Sequence, residues 1–184
     1  MLAAAWTSGP GVAHADPAQV LIVGDSLAVG MQPFLSEMIT DREVTFDVRN
    51  GWTTPQGMVA LHLDLQQYSP QTVVLSLGTN DGSNPSVFAD RVRRTMSAMP
   101  PFACVVWSAI VRPKRKGEYR GLNRVLRDAA RHDPRLTIID WDRMVQKGQV
   151  TLRDGLHPNE DGYRWRAWVT AGAVRRGCRA AAPA

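Results

Sequence analysis

The chain has 184 residues, 44% of them hydrophobic and 21% charged, ordinary values for one globular domain with a full core. No apolar run approaches the ~18 residues that a membrane-spanning helix requires, and the two cysteines, Cys104 and Cys178, are too few for a metal cluster and too far apart for a CxxC motif. The net charge of +5 and a pI of about 9.8 could suit nucleic acid or an acidic surface. No nucleic-acid-binding motif accompanies that charge, so no nucleic-acid partner is expected.

The basic residues are nearly all arginine, with Lys114, Lys116 and Lys147 the exceptions. They read as solvated helix faces. The densest cluster, Arg112, Lys114, Arg115, Lys116 and Arg120, falls in an expected loop and would favour an anionic polymer nearby.

Near the N-terminus, a mildly apolar Leu2–Trp6 leads to Ala13-His14-Ala15 before Asp16-Pro17. Ala-x-Ala followed by Asp-Pro looks like a signal-peptidase site, although the positive segment that opens a signal peptide is missing. Residues 1–15 are therefore expected to be a signal-peptide remnant and residues 16–184 a single domain, secreted or located in the periplasm or cell envelope.

Val20-Leu21-Ile22-Val23 is a continuous apolar run, as a buried parallel strand requires, and it ends at Gly24-Asp25-Ser26. A helix is expected from about Val29 to Ile39, with Phe34, Leu35 and Met38 on one face, followed by a strand over Val44–Val48 closed by Asn50-Gly51. Thr54–Leu65 suits a second helix with Met58, Leu61 and Leu65 in register. Val73–Leu77 is the clearest central strand and ends in Gly78-Thr79-Asn80-Asp81. Ser86 can cap a third helix carrying Phe88, Val92, Met96 and Met99, stopped by Pro100-Pro101. Cys104–Ile110 reads as a fourth strand, Gly121–His132 as a helix, and Leu136–Ile139 as a fifth strand. A last helix is expected to start near Pro158 and run past Val174. Strands alternating with helices give right-handed βαβ units and one three-layer α/β/α domain around a five-stranded parallel sheet, whose strand C-terminal ends form the functional edge.

Ser26, Gly51, Asn80 and the Asp154–His157 pair all fall at that edge. Ser26 sits at a strand-to-helix turn, where the first N–H groups of the helix are unpaired and favour developing negative charge. By itself it also fits an N-cap. Of the four histidines, only His157 stands beside a carboxylate at short spacing, in Asp154-Gly155-Leu156-His157-Pro158. Serine is a poor nucleophile until a base takes its proton, and that base needs a partner to fix its tautomer. Asn80 could be a plain turn residue or an oxyanion donor, and Gly51 would permit close backbone approach. Asp25 and Asp81 lie near the same edge. Hard-metal sites gather more carboxylates in one place, so both are read as structural hydrogen-bonding groups and no metal is expected.

In this order the residues resemble the SGNH hydrolases, or GDSL esterases, through Gly24-Asp25-Ser26-Leu27, Gly51-Trp52-Thr53, Gly78-Thr79-Asn80-Asp81 and Asp154-Gly155-Leu156-His157-Pro158. The resemblance runs from about Val20 to Ala173 and implies a flavodoxin-like fold. It also implies Ser26 as nucleophile, Asp154 and His157 completing a triad, and Ser26, Gly51 and Asn80 as the oxyanion hole, with no cofactor. Asn123, Asp140-Trp141 and Gly162-Tyr163 look like the SGNH domains of bacterial cell-surface O-acylation systems, whose members hydrolyse or transfer short acyl groups, often acetyl, on glycans.

The expected substrate is accordingly a small-molecule or glycan ester, met by a monomer. Trp52, Ser83, Asn84, Arg112, Pro113 and Tyr119 are expected to line the cleft. The alternatives are a broad lysophospholipase or thioesterase, or a non-catalytic glycan-binding domain of the same fold. The cysteines could be two buried thiols or a disulfide. The last helix runs back along the strands, which could bring Cys178 to Cys104 at the end of the sheet away from Ser26.

Overall fold

The structure is a computed structural model and describes residues 19–178. The expected signal-peptide remnant lies outside the described residues. Five strands, β1 (Gln19–Gly24), β2 (Glu43–Val48), β3 (Thr72–Ser76), β4 (Cys104–Ser108) and β5 (Leu136–Ile139), form one sheet in the order β2-β1-β3-β4-β5. Every pairing is parallel, with Gly24 level with both Val48 and Ser76, and Leu75 level with Trp107. The chain leaves β1 towards β2 and returns to β3 on the other side, so the strand order reverses at β1. A crevice at the strands' C-terminal ends is expected at such a reversal.

Side chains alternate across the sheet and divide the core in two. Val20, Ile22, Val74 and Val106 pack under α1 (Ser26–Met38) and α6 (Glu160–Arg176), together with Trp141 of the short α5 (Trp141–Gln146). Leu21, Val23, Leu75, Val105 and Trp107 pack under α2 (Thr54–Gln67), α3 (Pro85–Ala98) and α4 (Arg120–His132). The three central strands are apolar on both faces, which is why they read as unbroken hydrophobic runs, whereas β2 is an edge strand and only half-buried. No helix among the described residues is long and apolar enough to cross a membrane.

Several boundaries differ from the sequence reading for local reasons. Helix α1 begins at Ser26, three residues early, because Asp25 caps it by accepting from the Leu27 N–H at 3.0 Å; its buried stripe is Leu27, Ala28, Met31 and Leu35, with Phe34 and Met38 only half-buried. Asn84, not Ser86, caps α3, accepting from the N–H groups of Ser86 and Val87, with Pro85 in the first turn. Strand β4 stops at Ser108, because Asn123 of α4 takes both backbone groups of Ile110, at 2.7 and 2.8 Å. Helix α6 starts at Glu160, capped by Asn159, whose side chain accepts from Gly162. Helix α5 and a 3₁₀ turn at Lys114–Lys116 were not expected.

At the end of the sheet away from Ser26, Cys104 opens β4 and Cys178 follows α6, and they form a disulfide with Cα atoms 5.1 Å apart. The antiparallel run of α6 produces that meeting, as the topology implied.

Candidate active site

Ser26 is the first residue of α1 and follows β1 after a single residue, so its side chain stands at the crevice where strand order reverses. Asp25 is fully buried beneath it. Burial pushes the Asp25 carboxyl up to about 6, against the Leu27 N–H and the Arg166 cation, which pull the other way.

His157 comes from a tight loop closed by an antiparallel bridge between Leu152 and Pro158 and by the Arg153 N–H donating to the His157 carbonyl at 2.8 Å. Ser26 Oγ lies 2.9 Å from His157 Nε2, and His157 Nδ1 lies 2.8 Å from Asp154 Oδ2. A carboxylate facing Nδ1 requires that nitrogen to carry the proton of the neutral ring. Nε2 is then left as an acceptor for the Ser26 hydroxyl. The backbone N–H of His157 holds the Asp154 carboxyl far below the usual carboxylate range, helped by the His157 ring and the Leu156 N–H. Asp154 is therefore ionised at any pH at which the imidazole could act as a base.

The loops after β1, β2 and β3 are stitched together. The Arg49 N–H donates to the Gly24 carbonyl at 2.9 Å, Asn80 Nδ2 to the Trp52 carbonyl at 3.0 Å, and the Thr54 N–H to Asp81 Oδ1 at 2.7 Å. Gly51 sits at φ +81°, a conformation that favours glycine. The backbone N–H groups of Ser26 and Gly51 and the second amide hydrogen of Asn80 have no acceptor among the described residues. Three free donors thus lie on the loops that follow β1, β2 and β3, at the end of the sheet where Ser26 stands. Such an arrangement can stabilise negative charge on an oxygen held at Ser26.

The residues expected to line the cleft divide. Arg112 is buried, and its guanidinium donates to the carbonyls of Thr79, Asp81, Gly117 and Glu118 and to Ser83 Oγ; with Tyr119 it also borders a small hollow of about 270 Å³. It staples two loops together, and Ser83 is one of its acceptors. Asn84 is occupied as the cap of α3. Trp52 is half-buried against the core on the α2 face, and Tyr119 is half-buried between the two core clusters. Pro113 packs on Gly155 of the histidine loop. Asp25 and Asp81 make structural hydrogen bonds, Asp81 also pairing with Arg91 at 2.7 Å.

The sequence reading missed the placement of two residues near the crevice. Arg166 of α6 is completely buried, donates to Ser76 Oγ at 3.1 Å and lies over the Trp141 ring, 4.6 Å from its centroid. Its signal was its place on the buried stripe Gly162, Arg166, Thr170, Ala173. Lys116 donates to Asn80 Oδ1 at 3.0 Å, a contact across the fold with no local signal. A groove of about 870 Å³ between α2 and α3 is lined by Met58, Val59, Leu63, Val87 and neighbours and by none of the residues at the crevice.

A family model for the GDSL-like lipase/acylhydrolase family matches residues 22–165. An arylesterase from Vibrio mimicus is 25% identical over 172 residues, covering 83% of this chain and 86% of that protein. Among solved structures, the C-terminal catalytic domain of Streptococcus pneumoniae peptidoglycan O-acetyltransferase A superposes with a TM-score of 0.72 at 21% identity, covering 88% of this chain and 94% of that one. The Enterococcus faecalis lipase/acylhydrolase gives 0.73 at 17%, covering 90% and 100%, and the Clostridium thermocellum family 3 carbohydrate esterase 0.68 at 17%, covering 86% and 96%. With the family pattern spanning most of its length and this fold beneath it, the chain belongs to the GDSL-like lipase/acylhydrolase family.

Proposed function

We propose that this carboxylic-ester hydrolase removes short acyl groups, acetyl foremost, from glycan or small esters through an acyl-Ser26 intermediate. The observation that carries the reading is the unbroken chain Ser26 Oγ–His157 Nε2 and His157 Nδ1–Asp154 Oδ2, at 2.9 and 2.8 Å. His157 takes the Ser26 proton as Oγ attacks the ester carbonyl, and Asp154 balances the imidazolium that forms. The N–H groups of Ser26 and Gly51 and the Asn80 amide receive the oxyanion. His157 returns the proton to the leaving alcohol. Water then attacks the acyl-serine by the same route, or a sugar hydroxyl takes the acyl group instead.

The glycan reading is supported by two fold relatives whose names specify peptidoglycan O-acetyl transfer and carbohydrate esters. The Cys104–Cys178 disulfide supports an oxidising destination outside the cytosol. The test is p-nitrophenyl acetate turnover together with fluorophosphonate labelling. Ser26→Ala abolishes both, whereas a Ser26→Ala variant that still turns over ester refutes the nucleophile. Across C2 to C12 esters the rate peaks at the short end; a maximum at long chains refutes the short-acyl assignment and favours a lysophospholipase or thioesterase.

A further inference from the structure

Beside the oxyanion donors stands a cation that the mechanism above does not use. Lys116 Nζ donates to Asn80 Oδ1 at 3.0 Å while Asn80 Nδ2 donates to the Trp52 carbonyl. These two contacts fix the orientation of the amide, since the flipped form would set its NH₂ against an ammonium and its oxygen against a carbonyl oxygen. One amide hydrogen remains for a third partner.

The placement of Lys116 is built into the fold. Buried Arg112 ties the carbonyls of Gly117 and Glu118, which follow Lys116, to those of Thr79 and Asp81, which flank Asn80. Gly117 closes the 3₁₀ turn at φ +87°, and a Cβ there would collide with Ser83 Oγ. Only glycine permits that approach of the two loops. Neither Lys116 nor its neighbours Lys114 and Arg115 pairs with a carboxylate among the described residues. Glu118 instead accepts from the Tyr119 and Arg120 N–H groups. The charge of Lys116 is therefore directed at Asn80 rather than neutralised locally.

The geometry points to Lys116 as a positioning residue for the oxyanion hole, acting through Asn80. This rests on the acyl-serine reading above. An ammonium on Oδ1 holds the amide in its donating orientation and withdraws electron density from it, so the remaining N–H becomes a stronger donor. It also adds positive potential where charge develops in the transition state and not in the neutral ester. The effect should therefore fall on kcat rather than KM.

A double-mutant cycle on p-nitrophenyl acetate hydrolysis tests this, with wild type, Lys116→Ala, Lys116→Arg, Asn80→Ala and the Lys116→Ala/Asn80→Ala pair. Lys116→Ala lowers kcat about tenfold with KM within about twofold, a smaller loss than the roughly 10²–10³-fold of deleting a donor outright. Lys116→Arg recovers most of that loss. In the Asn80→Ala background, removing Lys116 changes kcat by less than about twofold, because the residue it acts through is gone. A Lys116→Ala enzyme with wild-type kcat, a loss confined to KM, or a full-size loss in the Asn80→Ala background each overturns the assignment. Ser26→Ala is assayed alongside: if it is inactive while Lys116→Ala is unimpaired, only the role of Lys116 falls. If it remains active, the acyl-serine reading falls first.

Discussion

Asp154 holds His157 at two points: Oδ1 accepts from the His157 backbone N–H at 2.7 Å while Oδ2 meets the same residue's Nδ1 at 2.8 Å. One carboxylate thereby shapes the loop and sets the imidazole tautomer. The two tasks separate by mutation. In Asp154→Asn the amide oxygen can still accept from the Leu156 and His157 N–H groups, so the loop and the melting temperature stay close to wild type. The second position becomes an NH₂ that cannot accept from Nδ1, which turns the tautomer and leaves Nε2 protonated against Ser26. The expected fall in kcat is on the order of 10³–10⁴. Asp154→Ala loses both tasks and should also lower the melting temperature. Equal melting temperatures for the Asn and Ala variants would show that the carboxylate does not hold the loop.

Asp25 gives the stability profile a definite sign. Its folded pKa is raised from 3.8 to about 6, so between those values the folded protein binds more protons than the unfolded chain. Stability from this group is present below about pH 4 and is lost as pH rises to about 6, by up to roughly 3 kcal/mol. Asp154 has the opposite sign in a lower window, since its depressed carboxyl contributes fully above the ordinary carboxylate value and that contribution is lost as pH falls below it towards the depressed folded value. Asp25→Asn keeps an oxygen for the Leu27 N–H but does not titrate. Urea midpoints for both proteins should show the wild type losing ground to the variant as pH climbs from about 4 to about 6. Parallel curves would contradict the raised value.

Arg166 bears on the same buried charge. Desolvation lowers its pKa to about 10, partly offset by Asp25, and its Nε and Nη1 have no partner among the described residues. No direct ion pair joins Arg166 to Asp25, but removing the cation takes away positive charge that favours the ionised Asp25, so Arg166→Met should raise the Asp25 pKa further and lower stability at neutral pH. The Asp25→Asn/Arg166→Met pair should recover much of that loss, because a neutral amide beside an apolar side chain leaves no uncompensated charge. Chemical denaturation at one pH checks both variants, and strictly additive losses would show that the two groups do not interact.

The sequence was most legible where local pattern and final burial coincide. β1, β3 and β4 are apolar on both faces, so their runs appear without knowledge of their neighbours. The candidate site residues stood out because each follows a strand directly or sits just before the last helix, and parallel topology carries such positions to one edge. The structural tasks of Arg112 and Asn84 were not legible, because nothing local shows that a loop arginine is turned inward onto carbonyls or that a loop asparagine caps the next helix. Lys116 was read only as one member of a basic cluster, because its partner is 36 residues away and a buried staple brings the two together. Arg166 had a signal in its helical spacing, but arginine at a core position is read by default as a solvated face.

The disulfide supplies the last expectation. Cys104 and Cys178 are 74 residues apart, so the bond closes a long loop and removes much freedom from the unfolded chain, worth roughly 2–4 kcal/mol. It lies at the N-terminal ends of the strands, while Ser26, His157 and Asn80 sit at the C-terminal ends, and nothing in the hydrogen-bonding of the crevice passes through it. Cys104→Ser/Cys178→Ser should therefore unfold at a lower denaturant concentration yet keep the wild-type kcat at 25 °C. A fall in kcat under conditions where the variant is fully folded would mean that the two ends of the sheet are coupled. An unchanged midpoint would mean that α6 is anchored by its packing alone, through Ala167, Ala171 and Val174 against the sheet.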